Sequence, residues 1–553
     1  MTAADSSLPV TSEAENTEVA SESWFARFEL HLHHASEWLN PILVKEARQA
    51  LKSRQFAVTF TLLLVFGWGW SLMGVATLMS GNSYAPIGAK MLIGYYWILS
   101  FPMLVIVPFS AFRSLSSERE DGTYELLSIT TLSSRQIISG KLGSAVLQMV
   151  VYYSALSPCI AFTYLLRGID IISIVLLLAY TFVTSLLLSI IGLFLATLTK
   201  VKHWQVLNSV VAILGLAGVF WAAAAFVYEM LEHEETLYVE DAEAWLVQTM
   251  IVSAAIAYGV LIFLAAGSAI SITSENRSTN LRITMLSQQV LIVGWAVFWA
   301  MWYEAIPPLA IGFVVGVIHW IALGALMTGE SPVITQRVAR GLPQTVLGRM
   351  YLSWLMPGPG KGYIFAVTNS LALLLTFTTA TVVCQRYRFE MDGPIWPLTL
   401  GGYVLWCYLV TYLGIGRLLV AIAQRFNRAG PFLGLVINVI LILAGTLGAI
   451  ALQFSVLDYQ YQEDYTLIQI TNPFWTSFEV ATHGLWGSTG RYTTAITVLV
   501  TLSSIAMLLI NLVVDSSGIR REREAAPSRV VEDELELHPE LATDSTPKSP
   551  WDE

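Results

Sequence analysis

Twelve apolar runs, each about twenty residues or longer and free of Asp, Glu, Lys and Arg, constrain this 553-residue chain more than any other feature. They lie at 57–79, 92–112, 142–166, 171–198, 204–228, 247–272, 284–303, 307–328, 363–384, 396–416, 431–453 and 492–513. At 1.5 Å per residue, twenty residues of helix reach about 30 Å, the thickness of a bilayer's hydrocarbon core. Hydrocarbon offers no hydrogen bonds, so a spanning backbone must satisfy itself as a helix or a closed barrel. Barrel strands alternate polar and apolar residues; these runs do not. The sequence therefore predicts an all-α polytopic membrane protein with about 12 transmembrane helices. Composition agrees, because charged residues make up 13% of the chain against about 25% in soluble domains.

The basic residues orient the spans. With the N-terminus inside and strict alternation, 25 of the 30 Lys and Arg fall in inside segments. Only Lys90, Arg167, Arg386, Arg388 and Arg491 fall outside. That asymmetry predicts an inner-membrane protein with both termini cytoplasmic. The two longest outside segments, 229–246 and 454–491, occupy matching places after the fifth and the eleventh span. The match implies two six-helix halves, 35–272 and 273–515, flanked by polar tails at 1–34 and 516–553 that lack apolar periodicity. No residue-level repeat links the halves. The first residues are acidic and Ser/Thr-rich, without the basic-then-apolar order of a signal peptide.

Several functions fall away on the same evidence. The net charge of -10 and the lack of basic clusters argue against nucleic acid as a partner. Cys159, Cys384 and Cys407 lie in or beside apolar runs and read as small buried hydrophobes. Gly140–Lys141 and Gly360–Lys361 lack the upstream glycine and the following Ser or Thr of a phosphate-binding loop. No HExxH, intramembrane acid pair or nucleophile elbow is present, so the chain reads as no enzyme, without cofactor or metal of its own. An ion-coupled transporter would be expected to place carboxylates inside its spans, and these spans hold none. A non-transporting scaffold or sensor stays open on the spans alone. Gln148, Asn208, His319, Asn369, Asn438 and Asn511 are the polar residues most suited to gluing helices together. His31, His33 and His34, and Glu232 to Glu235, fall short of a defined ligand set.

Two segments carry more. Asn40–Phe56 starts like a helix, with Asn40 as cap and Pro41 at the first helical position. Ile42, Leu43, Ala47, Ala50 and Leu51 form one side, while Lys45, Arg48 and Lys52 repeat at spacings of three and four. Such a helix is expected to lie in the membrane plane, its apolar side in acyl chains and its basic side on lipid headgroups. Between spans two and three, 116–142 holds the charged cluster Glu118, Arg119, Glu120 and Asp121. A turn at Gly122 and an amphipathic piece with Thr123, Glu125 and Leu126 follow. Ser133 and Gln136 then stand at capping-box spacing, opening a helix through Arg135, Ile137 and Lys141 into span three. The outer segment 454–491, dense in Tyr, Trp and Phe, is expected to fold as short, partly re-entrant helices.

The loop resembles that of the ABC-2 type permeases. Their pattern is an E-R-E cluster, a G-T, a Glu with paired leucines, a Ser-containing turn, an Ile and a G-K. Here these are Glu118, Arg119, Glu120, Gly122, Thr123, Glu125, Leu126, Leu127, Ser133, Ile137, Gly140 and Lys141. The preceding NP-x-x-x-KE-x-R helix looks like the family's membrane-plane helix, whereas Thr131 stands where a proline is common. The likeness covers 28–272; the inner loop 329–362 lacks the pattern. The resemblance implies the permease subunit of an exporter, coupled through 116–142 to a separate cytoplasmic ATPase that binds ATP and Mg. It leaves open whether a second permease chain completes the pathway.

Overall fold

A computed structural model describes residues 40–79, 87–121, 132–166, 169–198, 202–232, 241–271, 276–330, 354–387, 396–426, 430–456, 465–483 and 490–522. Among them there is no strand, and twelve helices are long and apolar enough to cross a membrane. The chain divides into two compact units, one of Met1–Thr249 with Ile262–Ser271, the other of Met250–Leu261 with Ile272–Glu553.

The first unit begins with a short helix, α1 (Pro41–Leu51), followed by the span α2 (Arg54–Met79). Apolar residues surround α2, and Val58, Leu62, Val65 and Leu72 are exposed. An all-round apolar helix has no wet face, which suits a hydrocarbon solvent. The second span is interrupted: α3 (Ile87–Phe101) and α4 (Val107–Glu120) flank a π-helical stretch, Pro102–Ile106. Pro102 has no N–H to give, so the helical ladder loosens there. α5 (Ser134–Leu165), α6 (Ile171–Leu198), α7 (Lys202–Glu232) and α8 (Ala242–Ile270) follow. The Ser185 hydroxyl of α6 donates to the Met103 carbonyl in the π stretch at 2.5 Å. Ser185, Ser189, Gly192 and Ala196 recur on one face of α6, and α4 packs against that helix. A Cβ on Gly192 would stand 2.9 Å from the Pro108 carbonyl oxygen, so only a small residue lets the two backbones approach.

The second unit holds α9 (Thr279–Tyr303), α10 (Pro307–Thr328), α11 (Pro359–Tyr387), α12 (Trp396–Phe426), α13 (Pro431–Val456), a 3-10 turn (Leu467–Thr471), α14 (Pro473–His483) and α15 (Gly490–Glu522). α10 is its hub, packed against α9, α11, α12 and α13. Gly312 lies against Ala296, Gly316 against Leu373 and Gly324 against Leu413, each too close for a side chain. Trp320 is fully buried and donates to Gln289 at 2.9 Å.

Within 454–491, where short helices are expected, the described residues form the 3-10 turn and α14, and the turn packs against the middle of α13. Tyr408 donates to the Ile470 carbonyl and Tyr412 to that of Thr471. The Thr471 hydroxyl donates to the Gly445 carbonyl at 3.0 Å. Gly445 is near the middle of α13, about 16 Å of helix from Val456 at 1.5 Å per residue. Non-helical backbone at that depth requires protein partners, and the two tyrosines supply them.

The helices also run past the apolar runs. α4 reaches Glu120, α5 starts at Ser134, α12 ends at Phe426, and α15 continues to Glu522 beyond the expected tail boundary at 516. Charges assigned to aqueous loops thereby fall on helix ends, and Lys141, Arg282 and Arg417 are buried. The histidines at 31–34, the acidic stretch 233–235, the tail 1–34 and residues 523–553 lie outside the described residues.

Candidate functional site

Lys45, Glu46, Glu118 and Lys141 gather where α1, α4 and α5 meet. Asn40 accepts the Ile42 N–H at 3.0 Å, capping α1, and donates to the Gln136 carbonyl and the Ser139 hydroxyl of α5. α5 opens with a complete capping box: Ser133 accepts the Gln136 N–H, and Gln136 accepts the Ser133 N–H at 2.9 Å. α1 lies along α5 because two glycines leave a groove. A Cβ on Gly140 would sit 2.8 Å from Ile42 Cβ and 3.0 Å from the Leu43 nitrogen. One on Gly143 would sit 2.8 Å from Leu43 Cδ1. The apolar side of α1, expected to face acyl chains, thus faces α5 instead, with Ile42, Glu46 and Ala47 buried. Lys45, Arg48 and Lys52 are exposed, as a basic outer side requires.

Lys141 lies at the centre, its side chain 1% exposed. Its Nζ is 3.1 Å from Glu46 Oε1, 3.0 Å from Glu118 Oε2 and 3.2 Å from the Ser114 carbonyl oxygen. Glu46 and the Ser114 carbonyl accept hydrogen bonds from the ammonium, and Glu118 faces it as an ion pair. Lys45 adds a second cation, 3.6 Å from Glu118 and 3.8 Å from Glu46, so two positive charges face two negative ones. Arg119 donates to the Ala196 carbonyl at 3.0 Å, satisfying the C-terminal turn of α6 where the helix dipole favours a cation. Glu120 accepts from the Ser116 hydroxyl one turn back. The three members of the E-R-E cluster therefore have separate partners: α1 and α5, then α6, then α4 itself.

Of the other residues singled out in the loop, Ile137 is in the core and Arg135 is exposed on the first turn of α5. Gly122, Thr123, Glu125 and Leu126 lie outside the described residues. Burial of Lys141 and Ile137 gives them an internal, positioning place.

Two further buried ion pairs were not legible as such. In the second unit Arg282 donates to Glu330 at 2.9 Å and to the Trp354 carbonyl at 2.7 Å, with Phe365 beneath its guanidinium. Glu330 also accepts the Gly358 N–H at 2.8 Å. Burial pushes the Glu330 carboxyl up, against the pull of Arg282 and that N–H. Arg417 of α12 reaches Asn511 at 3.1 Å and Asp515 at 3.2 Å on α15. Gly360 of α11 abuts the same pair. The sequence signal was a single charge flanking an apolar run, which looks the same whether the charge is wet or paired.

The intramembrane polar residues mostly join helices. Asn208 donates to Leu195 of α6, Asn511 to Gly414 of α12, and His319 meets the Tyr258 hydroxyl at 3.0 Å. Asn369 and Asn438 bond to their own helices.

Comparison with protein-family models, with curated proteins and with solved structures finds no match for this chain. The fold defines a multi-pass α-helical membrane protein, and its first unit carries a neutralised charge clamp at one end.

Proposed function

We propose that the chain is the permease subunit of an ATP-driven ABC-2 type exporter, moved by a separate cytoplasmic ATPase. The observation that carries this reading is Lys141 between Glu46 and Glu118. It joins the membrane-plane helix, the end of span two and the start of span three into one body at the root of the inner loop. A push received there is passed to two spans and α1 together, because a buried cation paired with both carboxylates cannot slide past them without stranding a charge. A passive scaffold has no need for that linkage. The chain also lacks a phosphate-binding loop, so in this reading the energy comes from a partner.

The test is a photo-crosslinking residue placed at Asp121, the exposed residue that caps the C-terminus of α4. Crosslinking in native membranes should capture a protein that hydrolyses ATP. Native purification that yields no ATP-hydrolysing protein, together with no such crosslink, would overturn the reading.

A further inference from the structure

The second unit holds an apolar cavity of roughly 470 Å³ between α10, α11, α12 and the short helix α14. Packed interiors leave few voids larger than a water molecule, so an opening of this size marks a place for something else. Leu309, Phe313 and Leu409 form a buried floor. At the rim, Ile318 is 54% and Phe478 67% exposed. The mouth therefore opens between apolar side chains of the span α10 and of α14. An apolar cavity of this kind does not hold water.

One polar group is out of place. Ser477 lines the cavity, is 7% exposed, and its hydroxyl has no hydrogen-bond partner among the described residues. A buried hydroxyl is unfavourable unless an acceptor meets it. Neighbouring Tyr408 and Tyr412 cannot offer their protons, which go to the backbone of the 3-10 turn. No Lys or Arg lines the cavity, so a free carboxylate would lack a counter-charge there. We infer that this cavity binds one ester-linked acyl chain of a membrane lipid, its ester carbonyl accepting from Ser477. The inference stands whether or not an ATPase drives the chain.

The test uses the full chain in phosphatidylcholine vesicles carrying traces of phosphatidylcholine with a diazirine on one acyl chain. After illumination, adducts should concentrate on the cavity-lining peptides of α10 and α14. Ala310→Trp or Thr378→Trp, which fill the cavity, should lower that labelling about tenfold, equivalent to about 1.4 kcal/mol of binding. Leu375→Trp, on an exposed position away from the lining, should leave it unchanged. Adducts spread over all exposed helix faces, or undiminished in folded filled variants, would overturn the site. Should the filled variants fail to fold, the native chain decides through an ether-linked probe that lacks the carbonyl. The ester probe should label about fivefold better, the worth of one net hydrogen bond, and Ser477→Ala should erase the difference. Equal labelling by both probes in the native chain would overturn the proposed contact.

Discussion

Lys141 hydrogen-bonds Glu46 and the Ser114 carbonyl and neutralises Glu118, so its removal does more than delete a charge. In Lys141→Ala, Glu46 and Glu118 keep their places without their central partner. Breaking a fully buried pair costs about 3–5 kcal/mol. Here the expected loss is about 2–4 kcal/mol, because Lys45 stays 3.6 Å from Glu118 and both carboxylates retain some contact with water. Denaturant-titrated unfolding in micelles measures it. Replacing all three as Lys141→Met, Glu46→Gln and Glu118→Gln should recover most of that loss, since no charge is then stranded. If the triple variant is as unstable as the single one, charge pairing is not what the lysine supplies. In the second unit, Gly360 meets the same kind of constraint by shape. A Cβ there would fall 1.6 Å from Asp515 Oδ1 and 2.7 Å from an Arg417 nitrogen. Gly360→Ala should therefore destabilise by about 1–3 kcal/mol through overpacking, while Asp515→Gly in the same background should relieve part of the clash. Two independent, additive losses in that pair would show that the glycine and the aspartate do not compete for space.

At the scale of elements, α1 and the 3-10 turn are each held by a few side chains whose roles differ in legibility. The cap at Asn40, the box at Ser133 and the basic stripe of α1 could be read directly, because capping and helical spacing are local. The groove that receives α1 could not: Gly140 and Gly143 look like ordinary helix glycines until a second helix lies 2.8 Å from where their side chains would be. Gly140→Val should lift α1 off α5 without disturbing the Ser133 cap. Limited trypsin digestion should then cut at Lys45 and Arg48 several times faster, with the spans still inserted. Unchanged cleavage would mean that α1 is held by something other than this groove. The 3-10 turn depends instead on hydroxyls from α12. Tyr408→Phe with Tyr412→Phe leaves the Ile470 and Thr471 carbonyls without these donors. At about 1–3 kcal/mol for each group left unmade, the turn should open locally before the unit unfolds. Hydrogen exchange confined to 465–483 is the expected signature, and protection equal to the native chain would argue against the tyrosines as anchors.

For the whole molecule, span number came through the sequence intact because an apolar run needs no long-range partner to declare itself. What escaped was the fate of single charges at the ends of those runs. Arg282, Arg417 and Lys141 were counted among the wet residues that orient the chain, yet each is buried against a carboxylate or carbonyl from a distant segment. The expected orientation does not require these cations to be wet, since a paired cation at a helix end also has to remain on its own side during insertion. It leads to a prediction that any even number of crossings requires. Single cysteines placed near residue 20 and near residue 540 should be reached by an impermeant maleimide from the same side. The native thiols give little background, because Cys384 and Cys407 are buried and Cys159 is only partly accessible. In intact cells neither engineered position should react, and in opened cells both should. Labelling at one end only would require an odd number of crossings and would dissolve the match between the two outer segments. Labelling of both ends in intact cells would keep the twelve helices but reverse them, placing the Lys141 clamp on the face that no cytoplasmic ATPase can reach.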